Sequence, residues 1–361
     1  MQRLMRFLES WDRTLWLAGA GLALFSGMAM ASAVATLNPA LAIRHALWIL
    51  TGLLASCVVA SLNYRRWTDV AWLAYAVSLL TLLLVLAAGV VRLGATRWLS
   101  IFGLSLQPSE LAKLTMIWLL ARYFAGQPSP LPPRVFWTSL VFAGPPALLI
   151  LAQPDIGSAS IFATIWLGMA WIAGAPRRSF FELAGGGLAL LPLGWHVLRD
   201  YQRVRLMAFL NPQADPLGAG FSIIQSTIAI GSGQLTGRGW FAGTQNQLNF
   251  LPERHSDFIF SVIGEEWGFL GSVAVVVLFG LILHRVFRIA LTTSDPQGQL
   301  LASGVFCWLA YQAFVNIGMV MGLLPVVGVP LPLVSYGGTS MVTAWVALGL
   351  LQSIHRSNQL L

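Results

Sequence analysis

Charge is what this sequence has least of. Asp, Glu, Lys and Arg make up 9% of its 361 residues, against about 25% in a soluble domain. So sparse a supply excludes disorder, a nucleic-acid-binding domain and an ordinary cytosolic enzyme. Cysteine is almost missing as well. Cys57 and Cys307 both sit in apolar runs, read as small core residues and form no disulfide framework. There is no zinc-spaced His/Cys set, no nucleotide-binding glycine fingerprint and no serine elbow. Repeats and low-complexity tracts are lacking. Lysine occurs once, at position 113.

What is present is hydrophobic: 57% of the chain. A membrane span takes about 20 apolar residues, so the supply suits ten. Ten apolar segments can be read, at roughly 15–35, 45–62, 68–91, 107–124, 135–152, 157–174, 179–198, 258–284, 299–324 and 337–355. This predicts an all-α polytopic membrane protein, a single domain over 1–361. It would have ten transmembrane helices and a large extracytoplasmic loop, 198–257, between the seventh and eighth. Ala31-Ser32-Ala33 resembles a signal-peptidase site, but the run before it is longer than a typical signal segment and nine spans follow, so a retained helix is expected.

Arginine sets the orientation. With the N-terminus inside, cytoplasmic segments hold Arg3, Arg6, Arg13, Arg65, Arg66, Arg122, Arg134, Arg177, Arg178, Arg285, Arg288 and Arg356. Short outside loops hold only Arg44, Arg92 and Arg97. Such a bias places both termini in the cytoplasm. The net charge of +8 is therefore chiefly a topology signal. Arg199, Arg203, Arg205, Arg238 and Arg254 fall in the long loop, and loops of that length report orientation poorly. The remaining polar residues gather on the outer side, whereas a transporter more often concentrates them at the midplane.

Three constellations could carry chemistry. In Gln107-Pro108-Ser109-Glu110-Leu111-Ala112-Lys113, Pro108 suits a first helical position, and Gln107, Glu110 and Lys113 share one helix face. A capped helix start with a snorkelling lysine would explain this, but ionisable residues inside spans are usually functional. In Leu251 to Phe260, Asp257 enters the eighth span behind Glu253-Arg254-His255-Ser256. It could cap the helix or act as a general base. Glu265 and Glu266 would lie inside the membrane, where at least one needs a partner or polar cavity. In the long loop, arginine forks suit phosphate and the amides of Gln225, Gln234, Gln245 and Gln247 suit sugar hydroxyls. Phe221 to Ile230 is apolar enough to lie in the interface or re-enter the membrane.

The motifs in family order are Gly94-Ala95-Thr96-Arg97-Trp98, Gln107 to Lys113, Gln153-Pro154-Asp155, Asn211-Pro212, Asp215 to Gly220, Ile230-Gly231-Ser232-Gly233, Leu251 to Phe260 and Pro330-Leu331-Pro332 to Gly337-Gly338. Together they resemble the SEDS family (shape, elongation, division, sporulation). Gly243 to Gln247 and the Glu253-Arg254-His255 variant look more like its rod-shape, RodA-type branch than its division branch. Ser256 stands where threonine is common, and Trp267 where leucine is usual.

The resemblance implies a peptidoglycan glycosyltransferase of the bacterial inner membrane, its active site facing outward, that joins lipid II into β-1,4 glycan strands by inverting transfer. It also implies a class B penicillin-binding transpeptidase as partner. The essential acid carries over to Asp257 and the conserved pair to Glu110 and Lys113. Substrate contacts are expected from Arg97, Gln107, Ser109, Arg203, Arg205, Gln245, Gln247, Glu253, Arg254, His255 and Ser256. No cofactor is assigned. The leaving pyrophosphate would meet Lys113, Arg203, Arg205, Arg97 or a divalent cation, Mg or Mn. A close Lys113–Asp257 pair would lower the Asp257 pKa and weaken it as a base. The competing readings are a lipid II flippase, which needs a cavity open to the cytoplasm and no base, and a noncatalytic scaffold.

Overall fold

The computed structural model describes residues 11–92, 95–101, 104–198 and 200–359. Arg3, Arg6, Gly94 and Arg199, used above for topology and motifs, lie outside the described residues. The chain opens with helices α1 (Arg13–Ala33), α2 (Ala40–Ser61), the short α3 (Arg65–Asp69) and α4 (Ala71–Ala88). Three strands follow, β1 (Val90–Arg92), β2 (Ala95–Ile101) and β3 (Leu104–Leu106). Then come α5 (Pro108–Ala125), α6 (Pro133–Thr138), α7 (Leu140–Ala152), α8 (Ile156–Ile172) and α9 (Arg177–Val197). After α9 run α10 (Asp200–Leu210), a 3-10 turn (Pro212–Ala214), α11 (Phe221–Gly233) and α12 (Thr244–Gln247). The long α13 (Ile259–Thr292), α14 (Pro296–Val320) and α15 (Gly338–Gln359) complete the described chain.

Six segments are long and apolar enough to cross a membrane: α1, α2, α4, α6–α7, α13 and α14. Helices α5, α8, α9 and α15 match the other apolar runs but fall short in length or hydropathy. For α5 and α15 the reason is burial. Most residues of both lie inside the bundle, so they face protein and can carry Glu110, Lys113, Gln352 and other polar groups. Lipid is met instead by large apolar side chains left exposed on the outer helices, among them Leu17, Ile43, Leu73, Leu148, Leu188 and Phe269. An apolar surface of that extent marks an integral membrane protein.

Helix starts follow local chemistry. The Asp12 carboxylate accepts the Leu15 amide at 3.0 Å and caps α1. Asp155 caps α8 through Ser158 N at 3.0 Å, and Asp295 caps α14 ahead of Pro296. Where helices cross tightly, small residues allow it. Gly52 of α2 receives the Trp345 ring, and a β-carbon on Gly349 of α15 would collide with the Ser56 carbonyl.

Two expectations need correction. The fold is not wholly helical: β1, β2 and β3 form an antiparallel sheet in that order, with Val91 opposite Thr96 and Leu99 opposite Leu106. Helix α4 ends at Gly89, and the β-branched and aromatic residues after it pair as strands instead of extending the third span to 91. The segment 198–257 is also not simply a loop. It carries α10, α11 and α12, and α11 packs on α13 with Ser226 Oγ 2.8 Å from Ser261 Oγ.

The two ends of the bundle differ in chemistry. At one, Arg285 Nε donates to Asp12 Oδ2 at 2.7 Å, and Gln352 exchanges hydrogen bonds with the Asp12 backbone at 2.8 and 3.0 Å. Arg122 donates to the Thr68 and Asp69 carbonyls, and Tyr64 to Asp295 at 2.6 Å. The described arginines expected inside begin or end helices at this pole. The sheet, Asp155, Asp257 and the 324–337 connection lie at the other.

Helix α13 is broken at Gly268, whose φ of 64° and ψ of −155° are not helical. Here the glycine-rich segment before α12 runs against the helix: Phe269 N donates to Gln234 O at 2.8 Å, and Arg238 N to Glu265 O at 3.0 Å. A side chain on Gly268 would collide with the Gly237 backbone. Gly268→Val should therefore lower stability by more than the ~1–3 kcal/mol of backbone strain alone. Gly280→Val, on open space in the same helix, should not. Thermal unfolding in detergent checks both.

Candidate functional site

Asp257 stands just before α13, in a turn wound about one carbonyl. Ser256, Asp257 and Phe258 all donate backbone N–H groups to Glu253 O, at 3.0, 3.1 and 3.3 Å. Glu253 adopts φ 46°, a left-handed conformation rare outside glycine. The turn is fastened to the 324–337 connection, where Tyr336 N donates to His255 O at 2.9 Å and Ser335 Oγ to Ser256 O at 2.6 Å. The Gly328 backbone lies beside the Asp257 carboxylate.

That carboxylate is unusual in this chain. Of the twelve acidic residues described, the other eleven accept a side-chain hydrogen bond or join an ion pair. Asp257 does neither. Burial, reinforced by the nearby Glu253 charge, pushes its pKa up to about 6, while Arg205 and Arg97 oppose the rise and Asp155 adds a little to it. At neutral pH it is a mostly ionised carboxylate, unsatisfied and basic enough to take a proton.

The neighbours are held in place from several elements. Arg97 of β2 donates to Pro154 O at 2.6 Å and pairs with Asp155 at 3.5 Å. Tyr201 of α10 donates to the same carbonyl at 2.9 Å, and the Arg205 guanidinium lies 5.7 Å from the Tyr201 ring. Asp155 is buried, and its charge acts on both Lys113 and Asp257. His255 Nε2 is 4.0 Å from Glu253 Oε2, but burial holds its pKa below the ordinary value. Ser256 Oγ donates to Glu253 Oε2 at 3.3 Å.

Lys113 does not pair with Asp257. Its Nζ donates to Glu110 Oε1 and Gln312 Oε1, both at 2.9 Å, and sits 4.7 Å from the Trp308 ring centre. Both Lys113 and Glu110 are fully buried. The close Lys113–Asp257 pair that would have lowered the Asp257 pKa does not form, and burial raises it instead. Gln107 begins that helix, its N–H donating to Thr339 Oγ1 at 3.1 Å, and Ser109 is buried one turn from the pair.

Other predicted residues lie apart from Asp257. Arg254 is buried with its guanidinium given to Ala33 O, Asn246 O and Thr36 Oγ1, so it binds α12 to the end of α1. Gln245 and Gln247 belong to α12, whose N-terminus is capped by Glu265: Oε1 accepts Gln245 N at 2.8 Å and Oε2 accepts Asn246 N at 3.1 Å. Gln247 Nε2 donates to Ser32 Oγ at 3.2 Å. Glu266 accepts from Ser32 and from Asn246 Nδ2. Both membrane-level glutamates thus find the partners the sequence demanded. Arg203 donates to His196 O at 2.9 Å and lines a cavity of about 240 Å³ under α10 with Val204, Met207, Asn211 and Asp215.

Asp155 was missed as a site residue, although a proline-acid pair before an apolar run is a recognisable cap signal. Gln312 and Asn316 were also missed. Their signal was two amides one helical turn apart inside a span.

Fold and site together define a polytopic helical membrane protein with, among the described residues, a single uncommitted carboxylate, at the pole away from the arginines of the expected cytoplasmic set. A family model described as "Cell cycle protein" (FtsW/RodA/SpoVE) matches residues 11–360. The chain belongs to this family. It is 41% identical over 314 residues to the peptidoglycan glycosyltransferase MrdB of Escherichia coli K12, covering 87% of this chain and 85% of the relative. The peptidoglycan glycosyltransferase RodA of Treponema pallidum is 34% identical over 386 residues, covering 87% and 89%. A chain from a solved peptidoglycan synthase complex that coordinates polymerization and crosslinking superposes with a TM-score of 0.81 at 35% identity, covering 96% and 98%. The rod shape determining protein RodA of Thermus thermophilus gives 0.72 at 30% identity, covering 96% and 97%.

Two expectations can be measured here. Asp257 should titrate near pH 6, seen as the carboxylate infrared difference between the protein and Asp257→Asn. Arg97→Ala removes a charge that holds this pKa down, so the midpoint should move to higher pH. Lys113→Ala leaves Glu110 charged and buried and should cost about 3–5 kcal/mol of stability in chemical unfolding. The double replacement Glu110→Gln, Lys113→Met should recover most of it.

Proposed function

We propose that this protein is a peptidoglycan glycosyltransferase of the rod-shape branch, polymerising lipid II for cell elongation. Asp257 carries the reading: it is the one described carboxylate without a partner, and it is poised to accept a proton near neutral pH. It takes the proton of the acceptor sugar's 4-hydroxyl as that oxygen attacks the anomeric carbon of the donor. The bond to undecaprenyl pyrophosphate breaks, the centre inverts, and a β-1,4 link forms.

Charge that develops on the departing pyrophosphate needs cations in a water-poor site. Arg97 and Arg205 already act on Asp257 and are best placed to supply it; Arg203 stands two residues earlier in α10. Lys113, enclosed by Glu110, Gln312 and Trp308, serves as a structural charge instead. Among the described residues no three His, Cys, Asp or Glu side chains converge as a metal cage. A divalent cation, Mg or Mn, held chiefly by the pyrophosphate would need fewer protein ligands than that.

The excess of arginines at the pole opposite Asp257 supports a ten-span topology with both termini cytoplasmic and the site facing outward in the inner membrane. Likeness to a chain of a peptidoglycan synthase complex supports a class B penicillin-binding transpeptidase as the partner.

Purified protein given lipid II in detergent, where no leaflets exist to be crossed, should form glycan chains. Asp257→Ala should lower that rate at least ~10²-fold without moving the thermal midpoint. Glycan formation at full rate by Asp257→Ala would overturn the assignment.

A further inference from the structure

Helix α14 reaches the site with uncharged groups. Asn316 Nδ2 donates to two carbonyls at once, Asp257 O at 2.9 Å and Val329 O at 2.7 Å. One turn earlier, Gln312 Nε2 donates to Pro330 O at 2.8 Å, while its Oε1 accepts from Lys113 Nζ at 2.9 Å and from Trp308 Nε1 at 2.6 Å. Both amides are fully buried. With the Tyr336 and Ser335 contacts, three successive carbonyls, those of His255, Ser256 and Asp257, are each held from α14 or the connection that follows it. Two successive carbonyls of that connection, at Val329 and Pro330, are held by the same two amides. An amide is the side chain suited to this task. It donates to backbone oxygen without adding a charge near the acid, and the Gln312 oxygen also accepts a hydrogen bond from Lys113.

We propose that Gln312 and Asn316 are positioning residues that hold the Asp257 turn and the 329–330 backbone in register with the buried Glu110–Lys113 pair. The inference rests on the glycosyltransferase reading of Asp257 for its kinetic test but not for its structural one. Asn316 acts on Asp257 through the backbone, and Gln312 acts through the connection that adjoins the carboxylate. The lysine, although it touches no reacting atom, is thereby linked to the base across two side chains.

The charged groups facing Asp257 are Glu253 of its own turn, Arg97 of β2, Asp155 at the cap of α8 and Arg205 of α10. Neither α14 nor the 324–337 connection adds a formal charge there, so an uncharged replacement of Asn316 alters only how Asp257 is seated. Without its anchor in Asn316→Ala, the turn opens to water, burial lessens, and the acid limb of the pH–rate profile should move below pH 6. In Asn316→Asp, equal in size, a carboxylate is brought beside the turn and the limb should move above pH 6. In both variants kcat should fall about 10–100-fold, as for a small misplacement of a base, with KM for lipid II within about twofold. Gln312→Leu should lower kcat in the same way with a smaller shift of the limb.

The structural test is amide hydrogen exchange in detergent. Peptides spanning 253–258 and 329–336 should exchange at least about tenfold faster in Asn316→Ala and Asn316→Asp than in the parent protein, and the helical core of α5 should not. Unchanged exchange in both peptides overturns the inference, whether or not the protein polymerises lipid II. Faster exchange with an unmoved limb and unaltered kcat also overturns it, since the amides would then support the fold alone. An inactive parent protein with the exchange result as expected would count against the glycosyltransferase reading and leave the positioning of Asp257 established.

Discussion

A charge inside a membrane bundle has to be answered by the bundle itself, because lipid offers it nothing. That constraint organises most of this structure. Glu110 is answered by Lys113, Glu265 by the N-terminus of α12, Glu266 by Ser32 and Asn246, Asp155 by Ser158 and Arg97, and Arg254 by the carbonyls of Ala33 and Asn246. Several of these answers, those of Glu266, Arg254 and the Asp155–Arg97 pair among them, join segments far apart in sequence. The polar residues are therefore the fastenings of the fold as well as its chemistry, and the apolar majority supplies the surface that lipid covers.

Against that background one unanswered carboxylate is informative. Asp257 has neighbours that tune it but no group that satisfies it. Under the proposed mechanism a base must be left wanting a proton, and a fold so thorough elsewhere leaves this group open. In the same proposal the lysine stands outside the reaction. Enclosed by a carboxylate, an amide and an indole, it stabilises α5 against α14 and cannot reach a leaving group without breaking all three contacts.

Much of this was legible in the residues. Arginine placement separated the two poles, and the single lysine at helical spacing from Glu110 announced an ion pair. Glu265 and Glu266 at membrane depth required partners that the structure supplies. What could not be read was tertiary. The strands after Gly89 hid in what passed for the end of a span, since Val90 and Val91 serve a helix in lipid and a strand equally well. Arg254 was expected to contact substrate because its motif is polar, and only the fold shows its donors turned to the Ala33 and Asn246 carbonyls and the Thr36 hydroxyl. Whether Lys113 met Asp257 depended on a packing between residues 144 positions apart. The amides at 312 and 316 carried a signal, the helical turn between them, but an amide in a span has many uses until its partners are known.

The enclosure of Lys113 has a practical side. It is the only side-chain primary amine in the chain, and about 1% of its side chain is open to solvent. Acylating reagents and amine-directed crosslinkers therefore find no lysine on the closed bundle and gain one as α5 parts from α14. In such a molecule, labelling at that nitrogen would measure how often the centre of the bundle opens, a clock provided by composition and folding with no probe introduced.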